Sequence, residues 1–114
     1  MNIFHKQPPE IEEGNREYKL KLNIMDKDRF NRFTSQMKFR LYEGNGKALY
    51  IIGISDDGHP IGITDEEMEI SINEMRKVVK VLDAKINTIR YYNGINGSIM
   101  TVKVSKELDN FYFA

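Results

Sequence analysis

Hydrophobic and polar positions alternate from Glu17 onward, with Tyr18, Leu20 and Leu22 on one side and Lys19 and Lys21 on the other. That period of two predicts a half-buried strand. From Asp26 the period lengthens. Phe30, Phe33, Met37 and Leu41 recur at helical spacing, so a helix capped by Asp26 should run to about Glu43 and stop at Gly44-Asn45-Gly46. Ala48–Ser55 is a nearly continuous apolar run, the pattern of a central strand buried on both faces. Asp56-Asp57-Gly58 reads as a tight turn, followed by a short return strand over His59–Ile63. Thr64 and Glu67 have the spacing of a capping box and open a second helix burying Met68, Ile72, Met75, Val79 and Leu82. Lys85–Tyr92 and Ser98–Ser105 alternate again, joined by the Gly- and Asn-rich link Asn93–Gly97. The predicted order is β-α-β-β-α-β-β: a two-layer α+β domain with both helices on one face of a mixed sheet.

The flanks carry no such periodicity. Residues 1–16 read as an arm, extended by Gln7-Pro8-Pro9 and kept solvated by Glu10, Glu12 and Glu13. Residues 17–105 form the domain, and 106–114 read as a connector. A chain of 114 residues fits one domain with one core. It has no cysteine and only His5 and His59, which excludes disulfides, thiol nucleophiles and metal sites built on Cys or several His. No apolar run is long enough to span a membrane, so the expected setting is cytoplasmic, with no membrane partner.

Charge adds a further distinction. Seventeen basic and seventeen acidic side chains cancel overall, yet residues 1–47 carry +3, residues 48–84 carry −5 and residues 85–114 carry +2. Any attraction to a polyanion must come from a local patch.

Neither GxxxxGK[ST] nor a GxGxxG loop after a strand is present, and Gly44-Asn45-Gly46-Lys47 follows a helix rather than opening one. No cofactor and no metal is therefore expected in this chain. His59, beside Asp57 and before Pro60, sits in turn chemistry rather than in a catalytic dyad. Glu12, Glu13 and Glu17 would meet Asp56 and Asp57 if the first strand paired beside the central one, and such carboxylates suit Mg²⁺ or Mn²⁺, although Asp57 is also what the turn demands. The first helix offers a binding surface. Arg29, Arg32, Gln36 and Arg40 form a stripe beside its apolar face, and Phe39 projects on the far side near Lys38. An aromatic ringed by cations fits a stacked base or a docked protein domain. On the second helix, Ile70 and Val81 share a face away from the core positions, as residues covered by another domain would.

Several segments carry a resemblance. Pro8–Leu22 (PPEIEEGNREYKLKL), Ser35–Gly46 (SQMKFRLYEGNG), Ile52–Gly58 (IGISDDG), Gly62-Ile63 and Glu66-Glu67-Met68 resemble the N-terminal region of the GTP-binding protein 1 and 2 family of elongation-factor-like translational GTPases. The resemblance implies a non-catalytic N-terminal domain. GTP and Mg²⁺ would be bound by a GTPase domain beyond Leu108–Phe113, and the partners would be that domain in cis, RNA or the ribosome. Arg29, Arg32, Lys38, Phe39 and Arg40 would form the contact surface. Glu12, Glu17-Tyr18-Lys19, Ile52–Gly58 and Ile61-Gly62 are also similar to the Schlafen-type AlbA_2 domain, some members of which cleave RNA. That similarity implies a metal-dependent ribonuclease using Glu12 and Glu17. Its third acidic position falls on Ser55, with Asp56 next to it on the opposite strand face.

Overall fold

A computed structural model describes residues 2–107. Strand β1 (Arg16–Lys19) leads into helix α1 (Lys27–Glu43), which crosses over to strand β2 (Lys47–Ile52). Helix α2 (Asp65–Val81) then precedes strands β3 (Lys85–Asn93) and β4 (Ser98–Ser105). The four strands form one sheet in the order β1-β2-β4-β3. β1 pairs with β2 in parallel, and the other pairs are antiparallel. A parallel pair requires a crossover, which α1 supplies.

Both helices lie on one face, as expected. Phe33, Met37 and Leu41 of α1 and Met68, Ile72, Met75, Val78 and Val79 of α2 pack on Ala48, Tyr50 and Ile52 of β2 and Met100, Val102 and Val104 of β4. The opposite face carries a smaller cluster of Tyr18, Ile51, Ile54 and Ile99. Asp26 caps α1 by accepting from the Arg29 amide at 2.8 Å. The capping box of α2 is complete: the Glu67 amide donates to Thr64 Oγ1 at 3.1 Å and the Thr64 amide to Glu67 Oε1 at 3.0 Å.

Three local expectations change. The return strand His59–Ile63 forms no ladder and contributes only a bridge between Ile63 and Ser98. Pro60 has no amide proton, and the carbonyls of Pro60 and Ile61 accept from Ile95 and Asn96 in the β3–β4 link instead. Gly62 permits this packing, with φ +91 and a Cβ position that would lie 2.5 Å from the Gly97 carbonyl carbon. The first strand also ends early. The Lys19 carbonyl accepts from Gly53 and Ile54, after which Tyr18 and Leu22 belong to opposite faces and Leu20 is exposed. Beyond Lys19, side chains of α2 take over the pairing: Leu22 N donates to Ser71 Oγ at 2.9 Å and Met25 N to Glu74 Oε1 at 2.8 Å.

The arm is the third change. The Phe4 amide donates to the Asn93 carbonyl and the Asn93 amide to the Asn2 carbonyl, so the arm runs beside the end of β3. The amides of Gln7 and Glu10 bind the carbonyls of Gly58 and Asp56, and Tyr18 Oη donates to the Pro8 carbonyl at 2.8 Å. Phe4 meets Tyr92 edge to face at 5.1 Å. Prolines and glutamates make this segment look solvated, yet its backbone hydrogen bonds hold it against the fold. Most of the predicted connector, residues 108–114, lies outside the described residues. Among the described residues, no helix is long and apolar enough to cross a membrane.

Candidate functional site

The predicted α1 stripe divides in the structure. Arg29, Arg32 and Gln36 reach a cleft of about 390 Å³ between α1 and the segment leaving β1, where Lys19, Lys21 and Asn23 form the opposite wall. Leu22, Met25 and Phe33 supply its apolar lining, and no carboxylate lines it. Lys21 pairs with Glu67 at 2.7 Å. Lys19 lies 3.6 Å from Glu17 and 5.6 Å from the centre of the Phe33 ring. Arg29 and Arg32 have no ion-pair partner among the described residues. Two unpaired guanidiniums, two lysines and two side-chain amides around one concavity make a site for phosphate or carboxylate groups. Sequence periodicity finds the α1 half of this cleft. It misses Lys19, Lys21 and Asn23, whose signal was the two lysines sharing one side of the first alternating segment.

Arg40 corrects the predicted surface. It is 3% exposed, and its Nε donates to Glu17 Oε1 at 2.7 Å. The guanidinium nitrogens also donate to the carbonyls of Ile11, Glu12, Glu13 and Gly14 at 2.9–3.2 Å. Nε and Nη1 are thereby saturated within the domain, and Nη2 donates to Ile11 with the Glu10 carboxylate 3.9 Å away, so this buried guanidinium presents no surface to a partner. Phe39 is half exposed, with the Arg40 guanidinium 5.9 Å from its ring centre, and Lys38 is half-buried. Neither lines the Arg29–Arg32 cleft.

The carboxylates are dispersed in role. Glu17 is 2% exposed and engaged by Arg40, whereas Glu12 and Asp56 are exposed. Among the described residues, no group of three or more such side chains is placed to hold a metal ion. Glu10 stands closer to this buried pair, accepting from the Tyr18 amide at 2.5 Å and lying 3.9 Å from Arg40. Burial raises its pKa, against the Tyr18 hydrogen bond. Tyr50, the β2 partner of Glu17, has a fully buried hydroxyl whose pKa burial drives upward, so it stays protonated.

Ser55, Asp57 and His59 do come together, but in an order unsuited to catalysis. The Ser55 hydroxyl donates to Asp57, and His59 Nε2 lies 3.5 Å from the other Asp57 oxygen. The histidine cannot take a proton from a serine whose bond goes to the carboxylate. The Ser55 hydroxyl is also the main cause of the lowered Asp57 pKa. In the Gly44–Lys47 turn all four amides donate to carbonyls, closing the end of α1 rather than cradling a phosphate. Ile70 is half-buried on α2 and shares a shallow cleft with Ile24, which is 76% exposed; Val81, farther along the helix, is 63% exposed.

The sequence has relatives among known proteins. GTP-binding protein 2 of Mus musculus is 40% identical over 111 residues, covering 93% of this chain and 18% of that protein. The chain is homologous to the N-terminal region of the GTP-binding protein 1 and 2 family. GTP-binding protein 2 of Homo sapiens matches to the same extent. GTP-binding protein 1 of Xenopus laevis is 24% identical over 81 residues, 71% of this chain and 12% of that protein. The chain thus spans less than a fifth of the length of these curated relatives. No protein-family model matches it. No solved structure matches it.

Proposed function

We propose that this domain is a non-catalytic accessory module of a GTP-binding protein, presenting its basic cleft to the phosphates of RNA in a cytoplasmic, translation-type setting. The observation that carries the reading is the convergence of Lys19, Lys21, Arg29, Arg32 and Gln36 on one cleft without a carboxylate. Homology to GTP-binding proteins supports the association with a GTPase domain in cis. GTP and Mg²⁺ belong, in this reading, to the part of those relatives that this chain does not span. The Gly44–Lys47 turn spends its amides on carbonyls, which is in keeping with that reading.

The test is charge reversal at the two unpaired arginines. Arg29→Glu/Arg32→Glu should weaken RNA binding and flatten the dependence of log K on log salt by about 1.8 for a duplex, at roughly 0.9 per lost phosphate contact. Unchanged affinity with an unchanged slope rejects the RNA reading.

A second reading rests on the apolar flank of α2. Ile24, Ile70 and Val81 offer scattered apolar surface that a GTPase core would cover in the longer protein. Protection of that flank from solvent labelling in the longer protein, with RNA binding unaffected by the arginine reversals, would favour packing over RNA contact. A ribonuclease reading has no such support, because Arg40 occupies Glu17 and the three named acids do not converge.

A further inference from the structure

The helix-free face of the sheet carries a second basic surface. Cross-strand register places Arg16, Leu49, Lys103 and Thr88 in one row across all four strands. The adjacent row is Tyr18, Ile51, Thr101 and Arg90. A groove of about 430 Å³ runs over these rows and is walled at one side by Phe4 and Tyr92. Arg16, Arg90 and Lys103 are exposed and have no ion-pair partner among the described residues. No carboxylate lines the groove. Its floor is apolar, formed by Leu49 and Ile51, with Thr101 and Gln7 as hydrogen-bonding groups.

The geometry points to this groove as a binding site for an unpaired stretch of RNA. The cations alternate with apolar and aromatic surface across strands spaced about 4.8 Å apart. Phosphates can then meet Arg16, Lys103 and Arg90 while a base lies on half-buried Leu49 against the half-buried aromatic pair. An acidic peptide is less well served. The floor strands β2 and β4 are paired on both sides, so they offer no backbone edge for an added strand. A nucleic acid needs no such edge, because its contacts here are made by side chains alone. A duplex is also poorly suited, since its bases are stacked inward and leave nothing for the apolar floor.

This site uses none of the cleft residues Arg29 and Arg32, so the two assignments fail separately. The test compares the 114-residue chain with an Arg90→Gln/Lys103→Gln variant. Fluorescence anisotropy would follow single-stranded oligouridylate and oligoadenylate of about ten nucleotides, within the site sizes of single-strand binders. RNA duplex and oligoglutamate serve as comparison probes. The variant should bind the single strands about tenfold more weakly, and its salt dependence should flatten by about 1.4, at roughly 0.7 per contact. Duplex binding should be unchanged. In the same assay Arg29→Glu/Arg32→Glu should leave the groove's contribution in place, so combining the two pairs should weaken single-strand binding further. Ultraviolet crosslinking should map to Phe4 or Tyr92. Unchanged single-strand affinity in the groove variant overturns the proposal. Oligoglutamate binding as tightly as oligouridylate, and losing affinity equally in the variant, also overturns it and assigns the groove to an acidic protein segment.

Discussion

The Arg40 guanidinium is buried where the arm, the first strand and the first helix meet. Helical periodicity sets it beside Arg29 and Arg32, and a cation flanking an apolar face is ordinarily solvated. The sequence does not display the four carbonyls of Ile11–Gly14 or the Glu17 carboxylate that surround it. Those groups come from a segment more than twenty residues upstream, and only tertiary packing of α1 over β1 assembles them. Arg40 therefore joins the arm, the first strand and the first helix. Replacing Arg40 with Ala leaves the buried Glu17 carboxylate with only Lys19, 3.6 Å away, which should cost up to about 3–5 kcal/mol of unfolding free energy. Arg40→Lys should also destabilise, because one ammonium cannot serve carbonyls and carboxylate together. Urea denaturation of both variants checks this, and a loss below about 1 kcal/mol for Arg40→Ala would show that the buried network is dispensable.

At the scale of elements, most of the fold was legible. The two helices, their caps, the central strand and the final hairpin follow from periodicity, because each buries one face and is stopped by its own local chemistry. What escaped was structure held by remote groups. Residues 20–25 leave the sheet for Ser71 and Glu74, and His59–Ile63 gives its carbonyls to the β3–β4 link. Burial works to raise the Glu74 pKa, but hydrogen bonds from Lys77 and the Met25 amide hold it below its ordinary value. The start of α2 provides a pH test. The Lys21 hydrogen bond, with help from Thr64, lowers the Glu67 pKa from 4.5 to about 2. A depressed carboxylate stabilises the fold above its unfolded pKa and loses that contribution as pH falls toward the folded value. Thermal midpoints should therefore show a Glu67-dependent fall between pH 4.5 and about 2, and Glu67→Gln should remove that component while keeping a residue suited to the capping box. An identical pH profile in the variant would place the acid sensitivity elsewhere.

Across the whole molecule, zero net charge conceals two carboxylate-free basic concavities, one against α1 and one on the helix-free sheet face. The first was half visible in the sequence, because Arg29 and Arg32 share a helix. The second was not, because Arg16, Arg90 and Lys103 lie far apart along the chain and meet only through sheet order. That order has its own test. β4 pairs with both β2 and β3 and contributes Met100, Val102 and Val104 to the core. A chain stopped at Gly97 should lack a cooperative thermal transition, whereas one keeping Ser98–Ser105 should unfold in a single step. A cooperative transition in the shorter chain would show that the remaining elements make a core without β4.

The same order sets a timetable for synthesis. The strand that completes the middle of the sheet is the last of the four to be made, so β2 leaves the ribosome with its later neighbour still untranslated. Until residues 98–105 emerge, the apolar run Ala48–Ile52 has one side open to any passing strand. The domain is committed to its fold near the end of its own translation, and the interval before that is when a chaperone would be needed.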